Sequence, residues 1–126
     1  MKYTRIYNDA TGESHYEDLM VHFSPVEFVP PAPPLNMSEP IPTENTILCS
    51  LPGDWESGWH PSPERQFCSI LSGRLEVHTS DGETRIFSTG SLILLEDTLG
   101  KGHLTRVLGY SSVHVVFAQL IDGAKL

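Results

Sequence analysis

Turn residues divide the chain between Thr46 and Leu120 into pieces too short for ordinary helices. Pro52-Gly53-Asp54, Ser72-Gly73, Ser80-Asp81-Gly82, Ser88-Thr89-Gly90 and Gly100-Lys101-Gly102 punctuate this stretch. The pieces between them are rich in β-branched and apolar residues: Thr46–Leu51, Phe67–Leu71, Arg74–Thr79, Thr84–Phe87, Ser91–Glu96, His103–Leu108 and Val113–Leu120. Arg74–Thr79 alternates cleanly, with Leu75, Val77 and Thr79 on one side and Arg74, Glu76 and His78 on the other. Gly82 accepts positive φ, so Ser80-Asp81-Gly82 reads as a hairpin turn. Short strands broken by turns every ~8–12 residues indicate a β-sandwich or barrel.

The first 45 residues differ. Tyr3–Tyr7 is rich in β-formers and ends at the turn signal Asn8-Asp9. Leu19, Val21 and Phe23 alternate as in a strand until Pro25 interrupts. Val29–Pro42 then carries six of the ten prolines. Proline removes amide donors and fixes φ, so this segment is expected as neither helix nor central strand. It reads as a rigid connector over the barrel surface; a docking ligand for another protein is the alternative. The expected organisation is one domain, with residues 1–45 as an N-terminal arm and Pro-rich segment packed on a barrel of residues 46–126.

Composition narrows the function. Hydrophobic residues make up 39% of the 126, enough for one core. A formal net charge of −8 opposes binding to nucleic acid or to an anionic membrane. No run of about 18 apolar residues and no apolar leader core is present, which makes a cytoplasmic location the expectation. Cys49 and Cys68 lie in apolar strand-like runs and read as small core residues, without zinc-finger spacing. There is no phosphate loop and no G-x-S-x-G elbow.

Two histidines remain as the raw material for a site. His60 lies in Gly58-Trp-His-Pro-Ser-Pro-Glu-Arg-Gln66, ahead of an apolar strand, and His103 follows the Gly100-Lys101-Gly102 loop at the start of another. In extended backbone Gln66, Cys68 and Ile70 share a face, as do His103, Thr105 and Val107. If those faces point inward, they make an apolar lumen with a few polar groups, the usual makeup of a small-molecule pocket. His15, near Glu13 and Glu17, is a candidate to cover the barrel mouth; His22 and His78 read as solvated, and His114 as packed or facing a partner. Arg65 and Arg106 are expected on outer faces, paired with carboxylates.

These residues resemble the two motifs of cupins, G(x)5HxH(x)3-4E(x)6G and G(x)5PxG(x)2H(x)3N. The first runs from Asp54, in place of the opening glycine, through His60, Ser62 for the second histidine, and Gln66 for the glutamate, to Gly73. The second runs from Gly82 through Ser88, in place of proline, and Gly90, with His103 on the last histidine after a longer interval. The resemblance covers residues 46–120 and implies an all-β double-stranded β-helix, a jelly-roll barrel with an N-terminal arm. It also implies a homodimer, to which the N-terminal strand could contribute by pairing with a neighbouring subunit.

A cupin metal site has three imidazoles and a carboxylate. This chain offers His60, Gln66 and His103, so a divalent ion (Fe, Mn, Ni or Zn) would be weakly bound, or none would be used. Glu96 or Asp97 could restore a carboxylate. Trp59, Ser62, Cys68 and Thr105 are the expected pocket residues, and Trp55 could also wall a ligand. Three functions follow for a small-molecule ligand: an enzyme assisted by that metal; a metal-free isomerase, cyclase or dehydratase using His60 or His103 as acid and base; or a binding or sensing module without turnover.

Overall fold

A computed structural model describes all 126 residues, Met1–Leu126, and every regular element in it is a strand. In chain order these are β1 (Lys2–Asn8), β2 (Ser14–Met20), β3 (Ser24–Val26), β4 (Leu35–Met37), β5 (Thr43–Leu51) and β6 (Glu56–His60), then β7 (Gln66–Ser72), β8 (Arg74–Thr79), β9 (Thr84–Ser88), β10 (Leu92–Glu96), β11 (His103–Val107) and β12 (Val113–Leu120). No helix is long and apolar enough to cross a membrane.

Strands β5 to β12 pair in a nested order: β8 with β9, β7 with β10, β6 with β11, and β5 with β12. Two further pairings, β8–β11 and β7–β12, join these into sheets ordered β6-β11-β8-β9 and β10-β7-β12-β5. That order is the double-stranded β-helix, a cupin-like jelly roll. The nest starts at the Ser80-Asp81-Gly82 turn, where Gly82 takes φ +95° and the Thr79 amide donates to the Glu83 carbonyl at 3.0 Å.

Inner-face residues of the two sheets make the core. Ile70, Val113 and Val115 from one sheet meet Leu75, Val77, Phe87 and Val107 from the other, all buried. At ~25 cal/mol per Å2 of apolar surface, a Leu, Ile, Val or Phe side chain buried in this way contributes about 1.5–3 kcal/mol.

Two expectations about the N-terminal region are corrected. The first strand does not await a neighbouring subunit: β1 pairs in parallel with β10 of its own chain, from Thr4↔Ile93 to Tyr7↔Glu96, and β2 folds back on β1. Thr4 and Ile6 are buried on its inner side, while Arg5 on its outer side bonds Glu96 at 2.6 Å. The strands thus extend the main sheet to β2-β1-β10-β7-β12-β5. The Pro-rich segment is not a plain connector either, since β3 and β4 pair with each other as a separate two-stranded hairpin. Proline is tolerated there because each strand is an edge.

Candidate active site

The register of β6 and β11 sets His60 directly opposite His103. Their ring centroids are 4.8 Å apart, with the planes inclined at 54°. Beside them the register shifts between Leu104 and Arg106, and Gly58 takes φ +71°. The displaced Thr105 amide donates to Ser57 Oγ at 2.9 Å, and that hydroxyl donates to the Gly58 carbonyl at 2.6 Å.

Each ring is oriented through Nδ1. His60 Nδ1 lies 3.0 Å from the Gly58 carbonyl, which can only accept, so the hydrogen is on Nδ1. His103 Nδ1 lies 2.6 Å from Asp97 Oδ2. His103 is buried and Asp97 is fully enclosed, with its other oxygen, Oδ1, lacking any partner. A buried carboxylate held this close fixes the tautomer of His103 and stabilises the imidazolium that forms when Nε2 takes a proton. Both Nε2 atoms are thereby left for a ligand.

The Asp97 segment is held from two sides. Its carbonyl accepts from the Ser62 amide at 2.9 Å. Further on, Gly102 crosses so close to His60 that a Cβ would stand 2.0 Å from the His60 carbonyl oxygen. The β1–β2 turn clasps the same loop: Ser14 Oγ donates to the Gly102 carbonyl at 2.6 Å, and the Lys101 amide donates to the Gly12 carbonyl at 3.0 Å. Lys101 Nζ also bonds Glu13 at 2.7 Å.

The rings open on a cavity of about 400 Å3 between the sheets. Ile6, Leu51, Trp55, Leu75, Ile93 and Phe117 are among its apolar walls, and Ile47 is partly exposed at its rim. His60, Ser62, Gln66, His103, Thr105 and Gln119 supply its polar groups, and Cys49 and Cys68 also line it. Six of the expected site residues therefore meet here: His60, Ser62, Gln66, Cys68, His103 and Thr105. Trp59 does not. It is half exposed on the outside of β6, because a residue next to inward-facing His60 must point the other way. Trp55 takes the pocket place instead. Gln119 and Phe117 escaped the sequence reading, although their alternation along β12 with respect to Ala118 and Leu120 was visible.

Cys49 and Cys68 lie on β5 and β7, with β12 between them. Two strand spacings are about 9–10 Å, beyond the reach of a disulfide. Burial, together with the nearby Cys49, pushes the Cys68 thiol up to about 12, so it stays protonated. His15 bridges Asp9 and Asp81 away from the cavity, at 2.7 and 3.1 Å. Arg65 pairs with Glu96 and Arg106 with Glu76.

The residues fit a divalent metal poorly. No cluster of three or more His, Cys, Asp or Glu side chains is arranged to hold one. The Gln66 carbonyl oxygen accepts from Gln119 Nε2 at 3.2 Å, Asp97 faces the far nitrogen of His103, and Glu96 is turned outward to Arg5 and Arg65. Two neutral imidazoles would remain, with no carboxylate to balance the charge.

Fold and site together define a small cupin-like barrel with a two-histidine chamber. Among solved structures, the chain is similar to a conserved SPY1581 protein of unknown function from Streptococcus pyogenes, with 26% identity over 61% of this chain and 65% of that one, at a TM-score of 0.46. The present chain thus spans just under two thirds of that protein. It is also similar to the cupin domain of Cnp3 from Schizosaccharomyces pombe, with 13% identity over 86% and 73% of the two chains and a TM-score of 0.49. A third likeness is to protein NMB1881 from Neisseria meningitidis, with 18% identity over 69% and 89% and a TM-score of 0.44. No family model and no curated protein matches the chain. The fold is carried by the strand order of the chain itself.

Proposed function

We propose that the chain is a metal-free acid–base enzyme acting on a small organic molecule held in the barrel. One observation carries this reading: a fully enclosed carboxylate holds His103 by Nδ1 and leaves its Nε2 to the cavity. Neutral His103 takes a proton from the bound molecule, and Asp97 stabilises the resulting imidazolium. The His103 imidazolium then returns that proton from Nε2 to another atom of the same molecule, while His60, its ring centroid 4.8 Å away and its Nε2 without a hydrogen, accepts a hydrogen bond that holds the molecule in place. Isomerisation by proton transfer, cyclisation and dehydration all need this pair of roles.

The test is a turnover screen of small carbonyl compounds in D2O, following loss of C–H signals by NMR. The parent exchanges protons of at least one of them, and His103→Ala and His60→Ala each lose that exchange while keeping the fold. Equal exchange by both variants would sink the assignment. Ligand binding without exchange would make the barrel a binding module. Restoration of activity by a divalent metal in chelator-treated protein would return the histidines to a metal role.

A further inference from the structure

The polar wall beside the histidines is a chain of amides with one direction. Asn45 Nδ2 donates to Gln119 Oε1 at 3.2 Å, and Gln119 Nε2 donates to Gln66 Oε1 at 3.2 Å. Gln66 Nε2 points to Ser62 Oγ at a long 3.5 Å, and Ser62 Oγ donates to the Glu64 carbonyl at 2.6 Å. The last group can only accept, so the Ser62 proton is committed to it, and every amide upstream must face the same way. Each glutamine uses one N–H along this chain and keeps a second. Gln66 and Gln119 are direct neighbours across β7 and β12, and both line the cavity.

Charge is missing from the same wall. No Lys, Arg, Asp or Glu lines the cavity. Arg65 and Arg5 are paired with Glu96, Lys101 with Glu13, and Asp97 with His103. An ionised ligand would leave water without a counter-ion, which is costly. The formal net charge of −8 adds to the penalty for an anion. Apart from Thr105 and the two cysteines, the remaining lining is apolar, in a volume of about 400 Å3. That is room for on the order of a dozen water-sized groups.

We infer that the site takes an uncharged carbonyl compound with a compact hydrocarbon body, its oxygen bound by the spare N–H groups of Gln66 and Gln119. The inference rests on the acid–base reading and deepens it. A carbonyl held by amide donors is polarised, which makes the adjacent C–H more acidic toward His103 Nε2. The same donors then stabilise the negative charge that develops on the oxygen as that proton leaves.

Three probes built on one six-membered ring test it by NMR titration of the full-length protein: cyclohexanone, cyclohexanecarboxylate and cyclohexylammonium. Cyclohexanone is expected to bind at millimolar concentration or better, and each charged probe at least about tenfold more weakly. Gln66→Leu and Gln119→Leu should each weaken the ketone by about tenfold, the loss of one buried hydrogen bond; the second variant serves if the first does not fold. Equal or tighter binding of either ion overturns the inference, as does ketone binding unchanged in both folded glutamine variants, or no ketone binding at all. Selective ketone binding without proton exchange leaves this inference standing and rejects the acid–base one.

Discussion

A single carboxylate decides how the site is read. Asp97 does not face the cavity; it acts through His103, so its effect should fall on the chemical step and not on binding. Asp97→Asn keeps the shape but can present an N–H to Nδ1, which favours the wrong tautomer. We expect kcat to drop about a hundred- to ten-thousand-fold with KM unchanged, against a melting curve that still shows a folded protein. A parallel loss of KM would make Asp97 a structural residue only. The sequence disclosed the histidines, because the motif fixes their spacing from glycine turns. It disclosed Asp97 only as a candidate ligand, since which nitrogen of a ring a carboxylate meets depends on the path of the intervening loop. Asp54 is a related case. It stands where the motif has glycine, and it is the only non-glycine residue with positive φ, at +60°. Aspartate tolerates that region better than most residues, so the motif's geometry survives the loss of its glycine.

Among elements, the loops do most to assemble the site. Gly102 and Gly82 both have positive φ, but a Cβ on Gly82 would meet nothing within 4 Å, whereas on Gly102 it would collide with the His60 backbone. Gly82→Ala should therefore cost about 1–2 kcal/mol through its backbone conformation alone. Gly102→Ala should cost clearly more and also abolish proton exchange; denaturant melts of the two variants check the order. A second link joins the β1–β2 turn to the β8–β9 turn, where His15 lies between Asp9 and Asp81. The hydrogen bond to Asp9 raises His15, against partial burial, with help from Asp81. The Thr11 hydroxyl and His15 hold Asp9 well below the usual carboxylate range. Burial pushes Asp81 up, but Thr79, the Glu83 amide and His15 outweigh it and leave it lowered. A raised histidine stabilises fully below its unfolded value, near 6.5, and that stability is lost as pH rises through the folded value. The lowered carboxylates stabilise above about 4 and lose this as pH falls. The cluster thus contributes most between about pH 4 and 6.5. His15→Gln should lower Tm more at pH 5.5 than at pH 8.5, and an equal drop at both would refute the link. Strands β5 and β7 to β12 were legible from alternation and turns. Strand β6 was not, because Glu56-Ser57-Gly58 has neither the composition nor the period of a strand; pairing with β11 imposes it. Nor was the β3–β4 hairpin, where pairing overrides the proline content.

For the molecule as a whole, the jelly roll was readable, while its surface partners were not. Parity arguments place Gln66, Cys68 and Ile70 on one face, and all three are buried. Nothing in such patterns says which chain a first strand pairs with, and β1 turned out to use its own. For the homodimer implied by the resemblance to cupins, we propose a surface outside the main sheets. Phe28, Val29 and Leu35, on and between the strands of the β3–β4 hairpin, leave large apolar side chains in water, a usual mark of an interaction surface. Light scattering at micromolar concentration should give twice the 14.0 kDa chain mass, and Phe28→Ser should shift it toward one. A single-chain mass for the parent removes the dimer.

The nested order of the barrel also sets a timetable. Its innermost hairpin joins residues close in sequence, while its outermost pair brings Thr43 to Leu120. Closing so long a loop is entropically slow, and folds of this kind usually form in milliseconds to seconds. His60 and His103 meet only in the second-outermost pair, and Gln119 reaches Gln66 only when the last strand docks. The chamber is thus a late product of folding, so a guest that fills it should slow unraveling from the chain ends and leave the speed of initial collapse untouched.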